Sequence, residues 1–485
     1  MSTTIDHDIP LRDVAPDCAQ VGPDGVTALE GVRLSELAER YGTPLWAISR
    51  GQLEANYGEL RDALDRHLQR SEIAYSIKAN NNRAVIQVLA RSGALVDCSS
   101  EHELAIALAA GVPSARIVVN GNGKSQSYLD AAVRVGVHQV NVDSVAEARR
   151  LARLAALHDL PVRCVARLKL SYERLLARDP SYERTLRVAE GKFGSSVETG
   201  EAMRVVQALR DDALLDYRGV SHHCGFAGYR ADFSAERQLM HLEECTRELG
   251  EFTRAAAAEL GVSTERIDVG GGLRPGRWVL LSTPGASTDG AYHELPGAER
   301  YAAAVAAGLE AAGLAGAEDA PVVQFETGGF QVGNAVVLLT RVQDVKDVER
   351  LSRRRFVTVD AAMTMFVTRG MTRVGFPAAI VDRPLDAPLA DVPVELVGPT
   401  CAYDSIAEDI ALPEVEAGDL IALFNQGAYC EVMSTQFNAI PRPAVVLVDG
   451  DGALLARRRE TLADVVGREA LGHELWPAPQ EPATA

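Results

Sequence analysis

Across 485 residues no uninterrupted apolar stretch approaches the roughly 18 residues that a membrane-spanning helix needs, so the sequence predicts no helical membrane anchor. The first eight residues are polar and acidic and lack the basic and apolar regions of a signal peptide, which sets a cytoplasmic location as the expectation. Positive charge is in deficit: the formal net charge is −18, a surface that would repel nucleic acid or an anionic membrane. Cysteine is sparse. The seven cysteines are scattered, odd in number and without a Cys-x-x-Cys pair, which argues for reduced thiols and against a disulfide frame or a zinc site. Low-complexity segments and a fixed internal repeat are also absent, which excludes repeat and fibrous architectures.

What is present is a chain with 47% hydrophobic residues, enough to bury a large core and long enough for two domains. After a short helix over 36–41, with Ser35 as N-cap and Gly42 as its stop, Pro44–Ile48 reads as a strand and Gln52–Leu68 as an amphipathic helix. Eight short apolar runs follow before residue 330: Ile73–Lys78, Ala94–Asp97, Ile117–Asn120, Gln139–Asp143, Val162–Arg167, Gly219–His223, Ile267–Gly270 and Val322–Glu326. Helical stretches separate them, among them Arg83–Ser92, Val145–Ala156 and Ala235–Leu260. Strands alternating with helices eight times predict an α/β fold, a closed (β/α)8 barrel of the TIM type. Past Gly333 the texture changes to β-branched runs separated by turns, which predicts a mainly β C-terminal domain closed by an Asp449-Gly450-Asp451-Gly452 hairpin. The expected division is an N-terminal leader and packing segment over 1–45, irregular through residue 26, a barrel over 46–330, and a β domain over 331–485 whose tail from Trp476 is disordered.

The ends of the barrel runs carry the chemistry. Nearly all finish in a polar residue or glycine, and strand C-termini converge on one mouth, where such barrels keep their active sites. Lys78 is the most conspicuous, because an ammonium ending a buried strand is costly unless paired or neutralised, and a desolvated lysine of lowered pKa is a nucleophile toward carbonyl compounds. A charge after Val322-Val323-Gln324-Phe325 makes Glu326 a second candidate, and the Gly270-Gly271-Gly272 turn can close backbone N–H groups on an anion.

The ordered set Tyr75-Ser76-Ile77-Lys78-Ala79-Asn80, Val96-Asp97-Cys98-Ser99-Ser100, Gly121-Asn122-Gly123-Lys124-Ser125, Lys192-Phe193-Gly194, His223-Cys224-Gly225, Asp268-Val269-Gly270-Gly271-Gly272, Glu326-Thr327-Gly328, Gly398-Pro399-Thr400-Cys401 and Gly427-Ala428-Tyr429 resembles the barrel-type pyridoxal-phosphate decarboxylases, the family of diaminopimelate, ornithine and arginine decarboxylases. The resemblance runs from about residue 30 to residue 465. It implies pyridoxal 5'-phosphate as cofactor, an amino acid as substrate, and a homodimer with shared active sites. By resemblance Lys78 forms the aldimine, Glu326 faces the pyridine nitrogen so that the ring withdraws electrons through a quinonoid, and His223 stacks on the ring. Gly270, Gly271, Gly272, Gly328 and Tyr429 match phosphate contacts, Asp97 and Arg167 match positions lining the cofactor pocket, and Cys401 matches a cysteine that reaches in from the partner subunit. No metal is implied.

Three positions depart from the family pattern. Glu326-Thr327-Gly328-Gly329 lacks the usual arginine, Phe226 replaces a phosphate-binding hydroxyl, and Ala402 stands where an acid follows the cysteine. Each lost charge-assisted contact is worth about 1.5–3 kcal/mol, so the expectation is a substrate other than a standard diamino acid, shaped by Phe226, Ala402 and Tyr403. Arg369 or Arg373 is the candidate replacement for the arginine, and Asp404 for the acid. Racemisation or epimerisation at Cα, and a cofactor-binding homologue without turnover, are the competing readings.

Overall fold

The computed structural model describes residues 5–6, 11–183, 186, 192–225, 234–280, 292–314, 316, 320–348, 354–367, 375–402 and 404–469. Strand β1 (Leu45–Ser49) leads into helix α1 (Arg50–His67), whose N-terminus is capped by Ser49: its Oγ accepts the Gln52 N–H at 2.9 Å. Eight parallel strands then follow: β2 (Ser71–Ser76), β3 (Leu95–Cys98), β4 (Ile117–Val119), β5 (Gln139–Val142), β6 (Val162–Lys169), β7 (Leu215–Ser221), β8 (Arg266–Asp268) and β9 (Val322–Thr327). Between them run α2 (Arg83–Ser92), α3 (Glu101–Ala109), α4 (Gln126–Val135), α5 (Val145–His158), α6 (Glu201–Asp211), α7 (Ala235–Leu260) and α8 (Gly297–Ala311).

The barrel closes. Each strand pairs in parallel with its neighbours, and β9 returns to β2 with Val323 opposite Ser71 and Glu326 opposite Ala74. Strands such as β3 and β5 are buried along their whole length, as expected where side chains pack inward to the axis on one face and outward to helices on the other. The βα turns are punctuated by local chemistry: Asn82, Ser100, Ser125, Ser144 and Ser234 each accept a backbone N–H from the first turn of the helix they precede, contacts worth about 0.5–2 kcal/mol apiece. These caps stand at the strand C-termini, so the same loops that build the mouth are anchored by their helices.

The second domain is a sheet organised around β1 and β10 (Val336–Val348). The start of β10 pairs antiparallel with β1, and β1 pairs in parallel with Ala444–Asp449. Trp46–Ser49 therefore belongs to the β domain and not, as the division at residue 46 expected, to the barrel. Five apolar residues read alike in either setting, and the partner strand decides. The long β10 continues past this seam to pair with Arg354–Val359. The Asp449–Gly452 turn joins antiparallel strands, with Asp449 opposite Gly452.

The N-terminal segment is more ordered than expected. Ala19–Gly22, Gly25–Leu29 and Val32–Arg33 form a small antiparallel sheet, and Val26, Leu29, Leu34 and Leu37 join one core with Leu45, Val337, Phe424 and Val446 of the β domain. The helix that follows starts at Leu34, with Arg33 at the cap position and no side-chain cap bond, so Ser35 lies inside its first turn; Gly42 ends it at φ +71°. The tail beyond residue 469 lies outside the described residues, and among those described no helix is long and apolar enough to cross a membrane.

Candidate active site

Strand β2 ends in a tight turn in which the Ala79 N–H bonds to the Ser76 carbonyl at 3.1 Å, and Lys78 leaves this turn into a cavity of about 410 Å3 at the C-terminal mouth of the barrel. Its side chain is surrounded by protein yet opens onto the cavity. Burial disfavours the ammonium, but Asp97, Tyr429 and Glu326 favour it more, so the amine is held above its usual range. The expectation of a lowered value is corrected by these carboxyl groups, which a view of the strand in isolation does not include.

Beneath Lys78 lie three buried carboxyl groups, Asp97, Asp268 and Glu326, from β3, β8 and β9. Two asparagines tie them together. Asn120 Nδ2 donates to Asp97 Oδ1 at 2.7 Å and also to Glu326, while Asn141 Nδ2 lies 3.2 Å from both Asp268 Oδ2 and Glu326 Oε1. The Ser76 hydroxyl donates to Asp97 at 2.7 Å, and Arg167 donates to Asn120 Oδ1 at 3.1 Å. Burial pushes Asp97 up to about 6, with Glu326 adding to the rise. It pushes Glu326 up to about 8, with Asp268 adding to it.

His223, from the turn after β7, accepts the Gly271 N–H on Nδ1 at 3.2 Å, and burial next to Lys78 and Arg167 holds it well below its usual range. A neutral imidazole at the cavity wall follows. The glycine turn is sterically obligatory: a Cβ on Gly270 would come 2.6 Å from His223 Nδ1, and one on Gly271 would come 2.2 Å from the Glu326 carbonyl oxygen. Gly328 is pressed against the lysine turn, where a Cβ would meet that of Ala79 at 2.8 Å. From the β domain, the Tyr429 N–H reaches the Ala79 carbonyl at 2.8 Å, so a loop of the second domain packs against the lysine turn.

The family described as "Pyridoxal-dependent decarboxylase, pyridoxal binding domain" matches residues 50–326. The diaminopimelate decarboxylase of Pseudomonas aeruginosa is 36% identical over 446 residues, covering 91% of this chain and 96% of that protein. The chain belongs to the pyridoxal-dependent decarboxylase family. The diaminopimelate decarboxylase of Archaeoglobus fulgidus is 31% identical over 92% of this chain and 98% of its own. Among solved structures, diaminopimelate decarboxylase from M. jannaschii in co-complex with L-lysine superposes with a TM-score of 0.82 at 26% identity, covering 95% of this chain and 99% of that one.

This decarboxylase is thus a pyridoxal-phosphate-dependent carboxy-lyase acting on an amino acid, and the donor set fits that cofactor. A primary amine, a buried acid and a neutral imidazole face one cavity, and beside them the Gly270-Gly271 turn admits no Cβ and gives its two N–H groups to Asp268 and His223.

The substrate-side expectations fare differently. Phe226, Arg369, Arg373 and Tyr403 lie outside the described residues. Cys401 and Ala402 are exposed on the β domain and do not line the cavity of their own chain; Cys401 Sγ contacts Asn438 Oδ1 at 3.5 Å. Asp404 is buried, with Oδ2 accepting the Thr400 N–H at 2.9 Å and Oδ1 accepting the Met363 N–H. It clamps its own loop, which is the physical reason against casting it as a substitute substrate anion. Nor do the relatives' names support a substrate outside the standard diamino acids. That expectation counted the arginine absent at Gly329 as lost cationic charge, but Arg167 and Lys169 line the cavity from β6. Residues missed beforehand as site members are Asn141, Lys169, Tyr172 and His222. His222 is fixed by the Leu168 carbonyl at 3.0 Å and the Tyr172 hydroxyl at 2.9 Å. The available signal was a polar Asn141 in the middle of the buried run Val140–Val142.

Proposed function

We propose that this protein decarboxylates a diamino acid of the diaminopimelate class, releasing carbon dioxide and lysine. The observation carrying this reading is the meeting of Lys78, Glu326 and His223 on one cavity, in a chain whose full-length relatives bear the name diaminopimelate decarboxylase. When bound, pyridoxal phosphate supplies a ring that accepts the electron pair left as the bond between Cα and its carboxylate breaks. Lys78 holds the cofactor through its amine and afterwards delivers a proton toward the substrate carbon. Glu326 would serve the ring nitrogen, and neutral His223 would support the ring without competing for charge. Gly270, Gly271, Gly272, Gly328 and Tyr429 would hold the phosphate. Asp97 keeps Lys78 oriented, and Arg167 with Lys169 draws the substrate's carboxylates into the cavity.

Cys401 acts in the second subunit of a homodimer on this reading, since within its own chain it is exposed and away from the cavity. Cysteines free of disulfides among the described residues suit a reducing cytoplasm. The test is incubation of the cofactor-loaded protein with diaminopimelate isomers, ornithine, lysine and arginine while carbon dioxide and amino-acid products are recorded. Equal yields of carbon dioxide and lysine from diaminopimelate are expected. Epimerised diaminopimelate without gas, or gas from another member alone, overturns the proposal.

A further inference from the structure

The glycine turn after β8 continues into Leu273-Arg274-Pro275, and this segment runs beside the stretch after β9 that lacks the usual arginine. A Cβ on Gly329 would stand 3.7 Å from the Leu273 carbonyl oxygen, and one on Gly333 would come 3.0 Å from the Pro275 ring. The Leu273–Arg274 peptide is therefore in van der Waals reach of the point where a side chain at 329 would begin.

Arg274 lines a small hollow of about 10 Å3 together with Gly225, Gln238, Gly272, Pro296 and Tyr301. Gly225 also lines the main cavity with Lys78, His223 and Glu326, so the hollow adjoins that cavity. Its volume suits one water-sized group, such as a single oxygen of a larger anion. Among the described residues no carboxylate lines it. Two of its walls are bare backbone: a Cβ on Gly225 would collide with the Gly271 carbonyl oxygen, and Gly272 has φ +105°. The first two N–H groups of the turn go to Asp268 and His223. The Gly271 carbonyl accepts the Tyr301 hydroxyl at 2.7 Å, which fixes the plane of the peptide carrying the third, and the Gly272 N–H has no acceptor among the described residues. Arg274 also reaches toward the β domain. Cys430, next to Tyr429, is pushed up to about 12 by burial, and the charge of Arg274 opposes that rise.

We propose that Arg274 is a cofactor-binding residue whose guanidinium supplies the positive charge for the cofactor's phosphate, in place of an arginine at position 329.

A phosphate monoester carries between one and two negative charges at neutral pH, more than the partial charges of backbone N–H groups balance. A guanidinium adds a full charge and a planar set of donors. Strands β8 and β9 are paired neighbours, so the charge missing after β9 is supplied from the adjacent loop and the phosphate keeps its cation.

This inference rests on the pyridoxal-phosphate cofactor of the proposed function. Its test uses no amino-acid substrate, so its failure leaves the decarboxylase reading standing. The full-length, cofactor-free chain is titrated with pyridoxal phosphate and, separately, with pyridoxal, which lacks the phosphate, and dissociation constants are read from the ligand's absorbance. Arg274→Met is expected to weaken pyridoxal phosphate binding about tenfold to a hundredfold and pyridoxal binding by less than about threefold. Adding Gly329→Arg to Arg274→Met is expected to restore most of the lost affinity, because the Leu273 carbonyl oxygen stands at an ordinary contact distance from a Cβ there. Should Arg274→Met fail to fold by circular dichroism, Arg274→Gln and Arg274→Lys take its place, the first expected to lose the preference for the phosphorylated ligand and the second to keep it. Unchanged pyridoxal phosphate binding, equal weakening of both ligands, or a loss that Gly329→Arg leaves uncorrected overturns the proposal.

Discussion

Two buried charged clusters sit on neighbouring strands of this barrel and behave in opposite ways. Between the β4 loop and α5, Lys124 Nζ donates to Glu147 Oε1 at 2.6 Å and to the Asn141 carbonyl at 2.7 Å, with both side chains at most 2% exposed. Charge there is balanced, and Glu147 also accepts the Asp143 N–H at 3.3 Å, so the pair ties the β4 loop to the start of α5. On the barrel axis, Asp97, Asp268 and Glu326 bring three acids together, with Lys78 and Arg167 facing them across an open cavity. Asn141 belongs to both clusters, its carbonyl to the first and its amide to the second. A balanced buried pair is structural material that apolar side chains can replace. An excess of one sign costs stability and persists where chemistry uses it.

The contrast can be broken in order of effect. Lys78→Ala removes the amine on which the cofactor depends, and turnover is expected to fall by about 10^4-fold or more, measured as carbon dioxide release, with folding intact by circular dichroism. Glu326→Gln keeps shape but not the acid, and kcat is expected to fall about 10^2-fold. Lys124→Met leaves Glu147 with Arg150, 3.7 Å away, as its charge partner and should lower stability by about 3–5 kcal/mol in denaturant titrations, while Lys124→Met combined with Glu147→Met regains most of it.

The smallest effect is in the pH dependence of cofactor-free stability. Folded Glu326 holds its proton up to about pH 8 against an ordinary 4.5, so its contribution is greatest below pH 4.5 and is lost as pH rises to about 8, by roughly a few kcal/mol. His222 and His241, pushed down by burial to about 4 and about 3, act in the other direction. They stay neutral while the unfolded chain takes up protons, so stability falls as pH drops below 6.5. Glu326→Gln is expected to flatten the upper limb and leave the lower one.

Much of this was legible before folding. Short apolar runs ending in polar residues give barrel strands, and serine or asparagine stands at the head of α1 to α5 and of α7; α2 and α7 fall on their expected bounds. The β1 assignment was not legible, because an apolar pentapeptide carries no mark of which sheet it joins. Ala19–Gly22 is too short, at four residues, for its Ala19/Val21 alternation to mark a strand, and its pairing comes from Gly25–Leu29. Lys78, Glu326 and His223 stood out by type and place. Asp268 looked like part of a glycine motif, and its coupling to Glu326 depends on strand order around a closed barrel. Asp404 looked like a spare anion beside Cys401 until the backbone N–H groups that occupy it came into view.

The most direct test of the contrast measures kcat and the denaturant midpoint side by side for Glu326→Gln and Lys124→Met. The account predicts a crossed result: the first loses turnover and keeps or gains stability at pH 8, and the second loses stability and keeps kcat within about threefold. Parallel loss of both quantities in both variants would contradict it, because the two clusters would then be one structural unit.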